Sequence, residues 1–286
     1  MRDRLARLAA SVTAVSVLGL ATAVAPAHGA PAHPAADAPR AMWVWSQAAP
    51  ADIVGWAGRR GVQDIFAHVA PDFATNGDLP RLRELGRRSG AAGIRLWALG
   101  GDPGWAFDHA TAAQWRQDTQ ATGLFHGSHI DVEPYALAAW DAGRVATVAA
   151  FLELLDQLRA VDPAPLEADV PFWYGEVAAG ESTLADEVLA RVDGVTAMTY
   201  RDTASGPNSM TDVAADILDR GAAAGRPVRL AAETDRLPDC PYCTFHEEGL
   251  RAMDRTLAEV DAVVAGRPAY AGMAIHHYDS WRALRR

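Results

Sequence analysis

The chain has 286 residues, half of them hydrophobic, with 36 acidic against 26 basic side chains and a formal net charge of −10. That balance argues against nucleic acid or an anionic membrane as the partner, because phosphates need a basic face. Every basic residue is arginine, and without a lysine amine, Schiff-base aldolase and pyridoxal-phosphate chemistry are excluded too.

At the N-terminus, Arg2, Arg4 and Arg7 precede an apolar run from Leu8 to Val24, and the stretch up to Ala30 offers small-residue cleavage sites. This reads as a secretory signal peptide over residues 1–30, followed by a loose Ala/Pro/His linker over 31–40. Nothing later in the chain is long and apolar enough to cross a bilayer. The expectation is a secreted, monomeric protein with no membrane attachment once the leader is cleaved. Its net charge would be about −12, since the leader's charged residues are three Arg and one Asp. The remaining length, roughly 250 residues, suits one α/β barrel better than two small domains.

Eight short strand-like runs follow in order, at residues 41–45, 64–69, 94–99, 126–133, 167–172, 194–200, 228–233 and 272–278. Between them lie amphipathic segments at 51–60, 79–89, 110–122, 144–161, 182–191, 210–224 and 247–265. Gly61, Gly93, Gly194 and Gly272 each precede a strand, where a left-handed glycine would close the preceding helix. Strict alternation of strand and helix means a parallel sheet. Eight repeats mean a closed (β/α)8 TIM barrel over residues 41–286. No glycine-rich nucleotide or phosphate loop is present, and no cofactor is expected.

The fourth run, His126-Gly-Ser-His-Ile-Asp-Val-Glu133, is the most informative. Alternate residues of a strand share a face, so Gly127, His129, Asp131 and Glu133 point one way. Two carboxylates at the C-terminal end of a barrel strand stand where barrel enzymes keep catalytic groups. The same rule selects Trp45, His68, Trp173, Tyr200, Asp202, Glu233, His277 and Trp281. Aromatic faces with carboxylates between them suit a carbohydrate cleft. Trp45, Trp105, Trp173 and Trp281 are the tryptophans expected there, with His68, Asp202 and His277 beside them. His129 reads as an inner hydrogen-bonding residue rather than a catalyst. Asp169 shares a face with Glu167 and either lines the lumen or caps a loop. Cys240-Pro-Tyr-Cys243 has the spacing of a thiol redox motif, but in a late loop of an exported chain it reads as a disulfide pinning that loop.

These motifs resemble those of family 18 glycoside hydrolases, the chitinase-like enzymes. Trp97-Ala-Leu-Gly-Gly101 looks like their third-strand S-x-G-G. The fourth-strand run aligns without gaps on their D-G-x-D-x-D-x-E. Met198-Thr-Tyr200, followed by Asp202, looks like their sixth-strand M-x-Y-D, and Trp281 lies near their eighth-strand tryptophan. The departures are His126 and His129 at two aspartate positions and Arg201 inserted before Asp202. The resemblance implies that Glu133 protonates the glycosidic oxygen, and that Asp131 orients a substrate acetamide to which Tyr200 hydrogen-bonds. A protonated histidine at position 129 would lower the pKa of Asp131, against the proton sharing that the mechanism uses.

A two-glutamate retaining site is the competing arrangement, with Glu133 as acid/base, Glu233 as nucleophile about 5 Å away and Tyr200 bonded to it. The sequence therefore reads as a glycoside hydrolase acting on a polysaccharide or glycan. The alternatives are a lectin-like barrel without catalysis and a metal-dependent hydrolase built on His68, His129, His276 and His277. Against the metal, metal-dependent amidohydrolase barrels open with His-x-His, where this chain has Trp43-Val44-Trp45.

Overall fold

A computed structural model describes residues 38–286. The expected leader, and all but the last three residues of the expected linker, lie outside the described residues. Eight parallel strands close into a barrel: β1 (Arg40–Val44), β2 (Val62–His68), β3 (Arg95–Gly100), β4 (Ser128–Ile130), β5 (Leu166–Pro171), β6 (Gly194–Met198), β7 (Val228–Glu233) and β8 (Tyr270–His276). Each pairs with its neighbours in sequence, and β8 closes on β1 through Arg40–Met273, Ala41–Ala274 and Met42–Ile275. The helices between them are α1 (Pro50–Arg59), α2 (Leu79–Ala91), α3 (His109–Ala121), α4 (Ala138–Val161), α5 (Leu184–Arg191), α6 (Met210–Val213), α7 (Ala215–Ala224), α8 (Leu250–Val264) and α9 (Tyr278–Ala283).

The α/β barrel expected from the alternation is therefore the observed fold, with differences at element ends. Helix α4 starts earlier than its apolar spacing suggests, and Gly143 (φ −161°, ψ 59°) breaks it near the start. The single helix expected over 210–224 is two, α6 and α7, and a two-stranded turn (Ala178–Ala179 with Ser182–Thr183) precedes α5. Gly61 and Gly93 take the left-handed conformation that closes a helix (φ +66° and +70°). Gly194 and Gly272 do not close helices. Gly194 is the first residue of β6, and Gly272 lies within β8, where a β-carbon would stand 2.1 Å from the Pro39 carbonyl oxygen.

Strand alternation divides the core in two. Met42, Val44, Ile65, Ala67, Leu96 and Ala98 face the helices, as does Trp115 from α3. Ala41, Trp43, Phe66, Trp97, Leu99, Ala231 and Ala274 fill the lumen. The lumen is not an all-apolar stack of branched side chains, however. Asp64, His129, Glu167, Asp169 and Arg229 are buried there as well.

Those ions pair as a column. At its base, Arg95 grips Asp64 through Nε and Nη2, both at 2.6 Å, and Trp97 Nε1 donates to the same carboxylate at 2.8 Å. Arg229 bridges Asp64 (3.1 Å) and Glu167 (2.6 Å). His129 lies between Glu167 (3.5 Å) and Asp169 (2.8 Å). Trp43 Nε1 donates to the other oxygen of Asp169 at 3.0 Å. Burial pushes Asp64 and Glu167 toward the neutral form, but the cations beside them outweigh it and hold both carboxyls below their ordinary range.

A buried pair stabilises little over an apolar replacement of the pair, yet removing one partner is costly. Arg229→Leu would strand Glu167 and weaken the hold on Asp64. We expect a loss of about 3–5 kcal/mol, read from urea unfolding at pH 7. A loss under about 1 kcal/mol would show that the column does not depend on its charges.

Candidate active site

The mouth of the barrel is built over this column. Strand β4 is short, but Asp131 N donates to Gly100 O (2.9 Å) and carries the pairing with β3 one residue further. Glu133 then precedes the 3-10 turn Pro134–Ala136, and Tyr135 from that turn folds back to donate its hydroxyl to Glu133 Oε1. Val132 between the two acids is buried toward the helices. Gly100, which ends β3, and Gly101, just after it, explain themselves by space. A β-carbon at Gly101 would stand 2.1 Å from Asp131 O, and one at Gly100 would stand 2.5 Å from the Trp115 ring. Any side chain at position 101 would push the backbone of Asp131 away.

The two acids differ in their surroundings. Asp131 Oδ1 is buried and makes no hydrogen bond. Burial, then the charges of Asp169 and Glu133, raise the Asp131 pKa well above the usual carboxylate range, and His129 opposes them without prevailing. Burial also raises Glu133, with Asp169 adding to it, while the Tyr135 hydroxyl and His276 pull the other way. Tyr200, just past the end of β6, is kept protonated by burial and then by the charges of Glu233, Asp169, Asp131 and Glu133. Tyr174 is 1% exposed and its hydroxyl has no partner. Burial, then the charges of Glu133 and Asp131, raise its pKa.

Glu233 is held differently. Its Oε1 accepts from the backbone N–H of Thr234 and of Asp235, both at 2.7 Å. Its Oε2 faces His276 Nδ1 at 2.7 Å. Trp45 Nε1 donates to His276 Nε2 at 3.0 Å, which assigns the histidine proton to Nδ1 and makes it a donor to Glu233. With both oxygens engaged and 4% exposure, Glu233 orients His276 and caps the loop after β7. A nucleophile needs a lone pair facing the substrate, and this geometry does not favour that part of the two-glutamate arrangement.

The remaining expected residues divide. Trp45 and His68 pack together at the mouth, their rings tilted at 41° with centroids 5.6 Å apart. His68, Gly101, Asp102, Trp105 and Asp108 line a pocket of about 440 Å³ beside them. Burial, then Arg81, lowers the His68 pKa and favours its neutral form. Trp173 packs on Tyr135 (5.3 Å) and on Tyr174 (5.2 Å), within an aromatic group that flanks Glu133. His277 caps α9 through its ring and its pKa is lowered by burial and His276.

Two residues fall outside the cleft. Trp281 is carried by α9 to the outside of the barrel, where it is 3% exposed and packs edge-on against Trp56 of α1, with Arg60 over its face. Asp202 joins the loop after β6 to the disulfide loop, its N–H donating to Tyr242 O at 3.0 Å. The inserted Arg201 explains this displacement. It bonds Tyr200 O and Asn208, and its guanidinium lies over Phe172 (5.1 Å) and Tyr242 (5.6 Å). Cys240 and Cys243 form a disulfide in that loop.

Tyr135 and Tyr174 join the candidate site without a role assigned from sequence, His276 joins it as a partner of Glu233 and not as a metal ligand, and Asp169 takes the lumen-lining alternative. Strand alternation placed Asp169 on the face of Glu167, and that face is the inward one of β5. Among the described residues, no three His, Cys, Asp or Glu side chains converge as metal ligands.

No protein-family model matches the chain, and no curated protein does. Solved structures do. A GH18 chitinase from Pseudoalteromonas aurantia superposes with a TM-score of 0.55 at 14% identity, covering 85% of this chain and 97% of that one. A chitinase from Chromobacterium violaceum gives 0.54 at 14%, covering 86% and 97%. A GH113 β-mannanase from Alicyclobacillus acidocaldarius gives 0.54 at 9%, covering 85% and 87%. At these identities the likeness is one of fold: the chain has the barrel on which these glycoside hydrolases are built.

The charge on His129 can be tested without a substrate. Burial alone would lower its pKa, but Asp169 and Glu167 raise it to about 9. A pKa raised on folding adds stability that is complete below about pH 6.5 and lost as pH rises through about 9. The unfolding free energy of the parent should therefore fall across that window by on the order of 3 kcal/mol more than that of His129→Gln. Parallel urea titrations at pH 6 and pH 9.5 check this, and equal losses in the two proteins would contradict it.

Proposed function

We propose that the chain is an exported glycoside hydrolase in which Glu133 is the proton donor and Asp131, rather than Glu233, is its partner. The observation that carries this reading is the contrast between the carboxylates. Glu233 has both oxygens committed to backbone N–H groups and His276, whereas Asp131 keeps a buried oxygen with no bond, next to Glu133. The neighbouring folds, the acid-lined mouth and the aromatic group of Tyr135, Trp173 and Tyr174 support a carbohydrate as substrate. No described helix is long and apolar enough to cross a membrane, and the disulfide is compatible with export.

In this reading a 2-acetamido sugar binds with its glycosidic oxygen at Glu133. Burial raises the Glu133 pKa, the direction that favours the protonated form a general acid needs. Its proton passes to the leaving oxygen as the glycosidic bond breaks. The acetamide carbonyl oxygen forms a bond to the anomeric carbon in its place. Asp131 holds the amide N–H, and Tyr200 donates to the acetamide oxygen. Water, deprotonated by Glu133, then attacks the anomeric carbon, displaces the acetamide oxygen and restores the acid.

Glu133→Gln should fold and bind sugar but lose at least about 100-fold in turnover, the scale of general-acid catalysis. The substrates to use are N-acetylchitooligosaccharides, with β-1,4-mannooligosaccharides as the comparison. Equal hydrolysis by mutant and parent would remove Glu133 from the mechanism, and binding without turnover by the parent would make the barrel a lectin.

The pH profile gives a second check. The Tyr135 hydroxyl lowers the Glu133 pKa, so Tyr135→Phe should raise it. The alkaline limb of the rate profile, set by loss of the acid's proton, should then move to higher pH. A limb that stays in place would separate Tyr135 from the acid's protonation.

A further inference from the structure

Position 129 holds a cation in the resemblance's second aspartate position, and the structure shows where a compensating acid has gone. Asp169 reaches across from β5 with 4% exposure, and both its oxygens are bonded, one facing His129 Nε2 and one accepting from Trp43 Nε1. His129 is 0% exposed and stacks on Phe66 with ring centroids 3.7 Å apart and planes 12° apart. Its Nδ1 faces Glu167 at 3.5 Å, a charge contact rather than a hydrogen bond. A ring with a carboxylate at each nitrogen is best satisfied with both nitrogens protonated.

We propose that His129 and Asp169 are a pair of positioning residues that act on Asp131 in opposite senses, the imidazolium drawing its proton off and the carboxylate holding it on. This rests on the reading of Asp131 and Glu133 as the reactive pair. An aspartate at position 129 would place a negative charge directly beneath Asp131. Here the acid stands one strand over and is neutralised by the histidine, so the charge beneath Asp131 is divided into two parts that can be removed separately.

The groups facing the pair are few. From β5 there are Asp169 and Glu167. From β7, Arg229 bonds Glu167 and reaches Asp64 on β2. From β8, the His276 ring lies 5.6 Å from Trp43. Tyr200 follows β6, Tyr174 follows β5, and Asp131 and Glu133 share the strand with His129. Arg229 is taken up by Glu167 and Asp64. The register that pairs Ile130 with Ala168 brings Asp131 beside Asp169, and His129 shares the Asp131 face two residues earlier.

The test is the titration of the Asp131 carboxyl carbon by NMR in the 13C-labelled full chain, its signal assigned by its loss in Asp131→Asn. His129→Gln should move the midpoint up by about one pH unit, and Asp169→Asn should move it down by a similar amount, the scale of one adjacent charge. Gln keeps a donor toward Asp169 and Asn keeps an acceptor for Trp43, so the packing is retained. Residues with only a structural role would lower thermal stability and leave the midpoint in place. Shifts of the same sign, or both under about 0.3 unit, would overturn the proposal.

If either variant fails to fold, the 15N signals of the His129 ring in the parent decide. Both nitrogens protonated at pH 8 is expected, and a neutral ring there would overturn the proposal. None of these readings needs a substrate, so failure to hydrolyse any sugar would count against the proposed function and leave them standing.

Discussion

The interaction on which the rest of this structure depends is the neutral column of ions inside the barrel. Three carboxylates, Asp64, Glu167 and Asp169, meet three cations, Arg95, Arg229 and His129. Such groups are tolerable in a closed lumen only because each has a partner of opposite charge within reach. Arg95 at the base keeps about half of its side chain in solvent, so the column is tied to water at one end. At the other end it stops at Asp169, with Asp131 and Glu133 above and no further cation in direct contact with Asp131. Two acids above a closed charge account have to accommodate each other, and the outcome is proton retention.

The size of the competing effects explains why Asp131 behaves as it does. An imidazolium nearby does lower its proton affinity, as the sequence suggests. Burial outweighs that attraction, and Asp169 and Glu133 reinforce burial. The histidine therefore moderates a raised pKa instead of producing a lowered one. Glu233, the last residue of β7, has different neighbours. Its charge is met by two backbone N–H groups and by His276. Two acids at similar barrel positions thus have different chemistry, because one faces hydrogen-bond donors and the other faces acids.

The barrel was legible in the sequence because strand alternation and helical spacing are local properties. The places of Asp131, Glu133 and Tyr200 just past strand ends were legible because the end of a barrel strand is a position that can be counted. Loop residues were harder. Trp281 lies only a few residues past β8, yet α9 turns it outward onto Trp56, and nothing in its spacing says which way a short helix will turn. Asp202 was expected in the cleft, but its N–H bonds Tyr242 O in the disulfide loop, a contact that its spacing from Tyr200 does not announce. The commitment of Glu233 could not be read either, because it depends on where the N–H groups of Thr234 and Asp235 point. Asp169 was on the correct face throughout, but its partner His129 is 40 residues away in sequence.

The contact between Gly101 and Asp131 has a consequence for how such a chain can change. The height of the acid above the lumen is set by main chain against main chain, where a β-carbon would come within 2.1 Å of the Asp131 carbonyl oxygen. No side-chain rearrangement relieves that contact, so position 101 has one solution. The lumen below obeys a looser rule, since it needs balanced charge and filled volume and not particular residues. In sequence space the site therefore resembles a fixed platform over an exchangeable base. Variants of this barrel can trade ions in compensated pairs beneath a carboxylate whose backbone does not move.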